Sequence, residues 1–202
     1  MKVSNYLLLC FIFIGMYNTQ AQSWSLAKDK NGVKVYTRKI EGWGIKEYKV
    51  KMTVKGSLSK VVEVLKDAKG RYEWLHNITE VREVERPNKD VVAIYSKVDA
   101  PWPVADRDNI TQFSFSYPSS NTARVDMKII KSHTKAPIYD GIFRVDRLQG
   151  HWLLKDQGNG YIEIVQQCAA EPGGSIPDWL ANSAVVDTPY NSMYKLKQYI
   201  EK

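Results

Sequence analysis

The 202-residue chain is short of the residues that staple or metallate small folds. It has two cysteines, and Cys10 sits in an apolar leader, so Cys168 has no intramolecular partner and no disulfide is expected. It has three histidines, His76, His133 and His151, with no HxxxH pair and no CxxC beside them, so no metal set is expected. There is no Gly-x-Ser-x-Gly elbow, although a Ser-His-acid set assembled in space is left open. No repeat, low-complexity tract or Pro/Gly/Ser linker divides the chain. Charge is not blocked either. The net charge is +7, but lysines and arginines are scattered through alternating segments, which argues against nucleic acid as a partner. A mild preference for anionic membrane surfaces fits the same balance.

What is present starts with a leader. Lys2 precedes an apolar run from Tyr6 to Tyr17, and Thr19-Gln-Ala21 is a small-x-small cleavage site. The run is too short to span a bilayer comfortably, and no stop-transfer segment follows. Cys10 follows three leucines without the small residue of a lipoprotein signal. Residues 1–21 are therefore expected to be a signal peptide, cleaved on export to a periplasm or the outside, and 22–202 a single domain.

Alternation with period two marks Val33–Arg38 and Lys46–Val54 as half-buried strands. Gly56-Ser57 opens a helix with Leu58, Val61, Val62, Leu65 and Ala68 on one face, and a second short helix carries Tyr72, Trp74 and Leu75. Strands are expected at 78–85, 90–98, 109–117, 122–131, 142–148, 151–155 and 161–169. Two loops are not simple turns: 99–108 holds Trp102 between two prolines, and 132–141 holds Ile138 and Tyr139. Their apolar side chains either tuck under to pack or form the rim of a ligand site. The last segment has capping-box spacing at Ser175 and Asp178 and then one long amphipathic face. Trp179, Ser183, Val186, Tyr190, Met193 and Ile200 share that face, and Pro189 should kink or break the helix near Thr188. The element order predicts an α+β domain, a curved antiparallel sheet wrapped around a long C-terminal helix. A sheet curled around one helix tends to enclose more space than side chains fill.

Several motifs in this order resemble the START (StAR-related lipid transfer) domain, of the helix-grip or Bet v 1-like superfamily. They are Pro101-Trp-Pro-Val-Ala-Asp-Arg-Asp108, Gly141-Ile-Phe-Arg-Val145 with Gly150-His-Trp-Leu-Leu154, and Glu171-Pro-Gly-Gly-Ser-Ile-Pro-Asp-Trp-Leu-Ala-Asn182. Trp24, Gly32-Val-Lys-Val-Tyr36, Trp74 and Asn77 agree with the family's amino-terminal half, so the similarity runs from about residue 24 to 200. The resemblance implies an internal hydrophobic tunnel between sheet and last helix that holds one lipid or sterol-like molecule, with the two loops at its entrance. Two departures stand out. The family's amino-terminal helix is missing. The acid–base pair of cholesterol-binding members is replaced by Tyr95-Ser96 and Thr111-Gln-Phe113, which puts sterol in question as the ligand.

Strand alternation gathers Thr111, Phe113 and Phe115 on one face and Val125, Met127 and Ile129 on the next strand's. With Trp102 on the loop and Trp179, Ser183, Val186, Tyr190 and Met193 on the helix, they are the expected ligand lining; the same residues would equally fill a solid core. Arg144 is the candidate polar anchor for a head group, and Arg107 and Asp108 are expected to lock their loop to the body. The expected function is non-catalytic carriage or sensing of a lipid by a monomer, with no cofactor and only transient membrane contact. The alternative is a helix-grip enzyme, a cyclase or hydrolase, acting on a hydrophobic substrate.

Overall fold

The computed structural model describes residues 23–174 and 176–202. The leader, its cleavage site and the Ser175 cap lie outside the described residues. Ten strands form one sheet: β1 (Ser25–Lys30), β2 (Val33–Arg38), β3 (Glu47–Lys55), β4 (Ile78–Asn88), β5 (Val91–Val98), β6 (Asp106–Ser119), β7 (Thr122–Ile129), β8 (Ile142–Arg144), β9 (Arg147–Asp156) and β10 (Tyr161–Glu171). The spatial order is β1-β2-β3-β10-β9-β7-β6-β5-β4, antiparallel throughout, with β8 alone pairing in parallel on β6. This is the expected helix-grip sheet.

Four helices pack on one side of it: α1 (Leu58–Lys66), α2 (Arg71–Trp74), α3 (Asp178–Val185) and α4 (Asp187–Glu201). Helix α1 starts where Ser57 accepts a hydrogen bond from the Lys60 amide, and it buries Val61, Val62 and Leu65 as its periodicity requires. The C-terminal helix is broken in two, one of the two outcomes expected of Pro189. The break falls at Val186, with Pro189 in the first turn of α4, where its missing N–H costs nothing. In an unbroken helix that ring would strike the Val185 carbonyl, so the chain turns before it. Helix α4 packs chiefly on β3 and β2 through Met193, Leu196 and Ile200, each fully buried. Each contributes about 1.5–3 kcal/mol of burial.

The main core joins α1, α2 and α4 to the concave face of the sheet. A smaller cluster, Val84, Ala93, Tyr95, Ile110 and Ala136 with Ile130, lies on the convex face, because the chain after β7 folds back over β5 and β6. The strands expected at 142–148 and 151–155 are divided elsewhere: β8 ends at Arg144, and β9 runs unbroken through Gly150. A Cβ there would meet the Gln167 carbonyl oxygen at 2.6 Å, so glycine marks a close approach of β9 to β10 instead of a turn.

Candidate functional site

The concave face brings together the strand residues that alternation singled out. Thr111 faces Ile129, Phe113 faces Met127 and Phe115 faces Val125 across the β6–β7 ladder. Thr111, Phe113, Phe115 and Val125 are buried, whereas Met127 and Ile129 keep partial exposure toward the end where β6 begins. From the helices, Tyr190 and Met193 join the same apolar cluster, and Ser183 and Val186 are half-buried beside the α3–α4 break. The Trp179 side chain lies outside the described residues. The lining is buried under α4 and becomes accessible toward the opposite end, where Tyr48, Met127, Ile129 and Leu148 are only partly covered.

Arg144 is elsewhere, and this corrects its expected role. Its Nε and Nη2 donate to the two Asp108 oxygens at 2.5 and 2.9 Å, and Nη2 also donates to the carbonyls of Ala136 and Pro137. Asp108 lies in the convex phase of β6, next to Ile110, so parallel pairing with β8 turns Arg144 away from the lining. The pair fastens the convex loop to the sheet. Arg107 does the matching task on the connection to α3, donating to the carbonyls of Pro172 and Gly173. Phe143 closes that corner against Gly173, where any Cβ would stand 1.9 Å from its ring.

The residue that sequence reasoning missed is Arg71. It opens α2, is 4% exposed, and lays its guanidinium 4.1 Å from the centre of the Phe113 ring and 5.3 Å from that of Trp74. Nη2 donates to the Leu65 carbonyl at 2.8 Å, and Nε is buried with no partner. Among the described residues no carboxylate pairs with it. Burial pushes its pKa down to about 9, with the Asp67 charge opposing, so the group is charged at neutral pH. Two more donors are orphaned nearby. The indole Nε1 atoms of Trp74 and Trp152, whose rings meet edge-on at 6.4 Å, are buried without acceptors. Native interiors rarely strand three donors in one neighbourhood. The arrangement lacks an acceptor, and an anionic oxygen would supply it. The available signal was the i,i+3 spacing of Arg71 and Trp74, which puts both on one helix face.

At the accessible end stand the two loops. Trp102 is 91% exposed and Ile138 72%, while Tyr139 packs edge-on against Tyr95. So the apolar loop residues divide: Tyr139 and Ala136 cover the convex cluster, and Trp102 and Ile138 project from the rim.

Among the described residues the histidines and Cys168 form no shared cluster. His76 Nε2 meets the Asn191 amide nitrogen at 3.3 Å and its backbone N–H donates to Ser192 Oγ, while Nδ1 has no partner. His133 meets Glu85 at 3.5 Å on the convex side. Burial holds the Cys168 thiol up at about 12, which keeps it unreactive. Among the described residues no group of three metal-ligating side chains converges, and no helix is long and apolar enough to cross a membrane.

The curved antiparallel sheet, the helices packed on it and the apolar concave face define the class: a helix-grip fold. The START domain family model matches residues 12–194, and the chain belongs to that family. It is 37% identical over 185 residues to an uncharacterised protein of Pseudomonas aeruginosa, covering 92% of this chain and 90% of that one. Mouse phosphatidylcholine transfer protein is 24% identical, over 80% of this chain and 76% of its own. The crystal structure of a STAR-related lipid transfer protein fragment from Xanthomonas axonopodis superposes with a TM-score of 0.80 at 31% identity, covering 89% of this chain and 99% of that one.

Proposed function

We propose that this chain is a non-catalytic carrier of a phosphate-bearing lipid, which it holds between the concave sheet face and α3–α4. The observation that carries this reading is Arg71. A buried guanidinium without a carboxylate is costly, and a ligand phosphate repairs it with charge-assisted, bidentate hydrogen bonds. A sterol hydroxyl brings no charge to offset it. The similarity to phosphatidylcholine transfer protein agrees with this head-group chemistry. The chains would lie along Phe113, Phe115, Met127 and Met193, at roughly 25 cal/mol per Å² buried.

Trp102 and Ile138 would touch the donor membrane, with Lys135 on the second loop favouring anionic lipid. The leader supports work outside the cytoplasm, after cleavage at Ala21. Mass spectrometry of lipid retained by the purified protein tests the central claim. One phospholipid per chain is the expected result; a retained sterol or hydrocarbon without phosphate refutes it.

A further inference from the structure

The accessible end of the concave face also opens sideways, between β7 and β9. The β7–β9 ladder ends at Lys128 opposite Gln149, and beyond that pair the two strands part. The fork between them is a cleft of about 510 Å³. Its floor is Ile129 and Leu148, its rim Lys131, Asp146, Arg147 and Gln149, and Trp43 of the β2–β3 hairpin closes the far side.

Alternation puts the floor on the concave face. Ile129 stands two residues beyond Met127 and opposite Thr111, and Leu148 two before Gly150 and opposite Ala170. The floor therefore continues the wall that carries Phe113. The rim carries both signs of charge. Lys131 Nζ lies 3.9 Å from Asp146 Oδ2 with both side chains mostly exposed, so this pair is loose and open to exchange. Arg147 is held more firmly, 2.9 Å from Glu171 and stacked 4.1 Å from the centre of the Trp43 ring. Glu171 in turn accepts from the Gly44 amide, which holds the hairpin down over the cleft.

An apolar floor continuous with the lining, under a rim offering cation and anion a few ångströms apart, matches the polar end of a zwitterionic amphiphile. The volume lies within the range of small-molecule sites. We infer that the fork is a lateral station for a zwitterionic phospholipid: its phosphate meets Lys131, its cationic group meets Asp146, and its first methylenes lie on Ile129 and Leu148. The lipid pauses there on its way between the membrane and Arg71. This rests on the carrier reading above and adds a route to it.

The test is transfer of fluorescent phosphatidylcholine between phosphatidylcholine vesicles, with lipid per chain measured at saturation. Leu148→Trp fills the floor, and Asp146→Lys, at an exposed position, makes the rim wholly cationic. Leu148→Trp should slow transfer about tenfold, equivalent to a modest rise in one barrier, with loading at saturation unchanged. Asp146→Lys should shift the initial-rate preference from phosphatidylcholine toward phosphatidylglycerol. If Leu148→Trp does not fold, Trp43→Ala on the hairpin takes its place with the same slowing expected. Folded variants with wild-type rates and wild-type preference overturn the station alone. Wild-type protein that neither loads nor transfers phospholipid overturns the carrier reading, and the station with it.

Discussion

Replacing Arg71 by methionine separates a residue that holds the fold from one that waits for a ligand. In the unliganded protein the exchange removes one hydrogen bond, to Leu65, and the guanidinium's contacts with the Phe113 and Trp74 rings. The bond to the carbonyl contributes about 1.5–3 kcal/mol because the donor is charged, and the ring contacts about 2 kcal/mol when desolvated. Against these stands the desolvation of an unpaired guanidinium, several kcal/mol after relaxation. A methionine of similar length restores dispersion contacts with the rings and removes that penalty. The terms nearly cancel, so the midpoint of thermal unfolding should move little, and upward if at all. Binding should respond far more. A buried charge pair truncated on one side loses about 2–5 kcal/mol, which is roughly thirty- to several-thousand-fold in Kd. The assay is equilibrium binding of a fluorescent phosphatidylcholine beside a diacylglycerol with the same chains, together with thermal unfolding of the empty protein. Phosphatidylcholine affinity should collapse while diacylglycerol affinity holds. Arg71→Lys, with charge but no planar fork, should fall between. Equal affinities of wild type and Arg71→Met for phosphatidylcholine would refute the argument. So would a large drop in unfolding midpoint, since the guanidinium would then be part of the scaffold.

Three further outcomes follow from particular contacts. The double variant Trp102→Ser, Ile138→Ser should leave unfolding within about 0.5 kcal/mol of wild type, as exposed positions do, yet weaken sedimentation with vesicles; unchanged co-sedimentation would remove these tips from the membrane contact. Gly150→Ala should destabilise the domain by about 1–3 kcal/mol in urea, because the new Cβ would press on the Gln167 carbonyl, which is backbone and cannot swing away. Burial lowers the pKa of His76, aided by Lys195 and opposed by Asp187, and burial also lowers His151. Both groups are thus neutral in the fold where the unfolded chain already protonates, so stability is complete above about pH 6.5 and declines as pH falls toward their lower folded values. His76→Asn should flatten that decline in unfolding midpoints taken between neutral and mildly acidic pH; a profile identical to wild type would exclude His76 as a source.

Much of this architecture was legible because one face of every strand is buried, which writes period two into the sequence. Alternation gathers Thr111, Phe113 and Phe115 on one face of their strand, and the β6–β7 register then sets them opposite Ile129, Met127 and Val125. The errors fall where a residue's meaning depends on a neighbour distant in sequence. The strand boundary expected at 149–150 vanishes because β9 runs on through Gly150 against β10, and the break expected near Thr188 comes two residues earlier, at Val186. The buried seam of α4 runs through Tyr190, Met193, Leu196 and Ile200, so Leu196 fills the step between Met193 and Ile200.

The two arginines show the limit most sharply. In sequence Arg144 looks like the better ligand anchor, since it lies between Phe143 and Val145 in a strand, whereas Arg71 only precedes a tyrosine in a short helix. Both are buried in the fold, and both place a guanidinium among apolar groups. What separates them is which acid arrives. The parallel pairing of β8 on β6 carries Asp108 to Arg144, 36 positions away, and satisfies two of its nitrogens. Nothing comparable is carried to Arg71 among the described residues, although Leu65, Phe113 and Trp74 hold it in place. A cation given a carboxylate by the fold is fixed for structure. One held rigid and left without a carboxylate is preorganised for an anion from outside, and telling the two apart requires the tertiary pairing that local sequence does not encode.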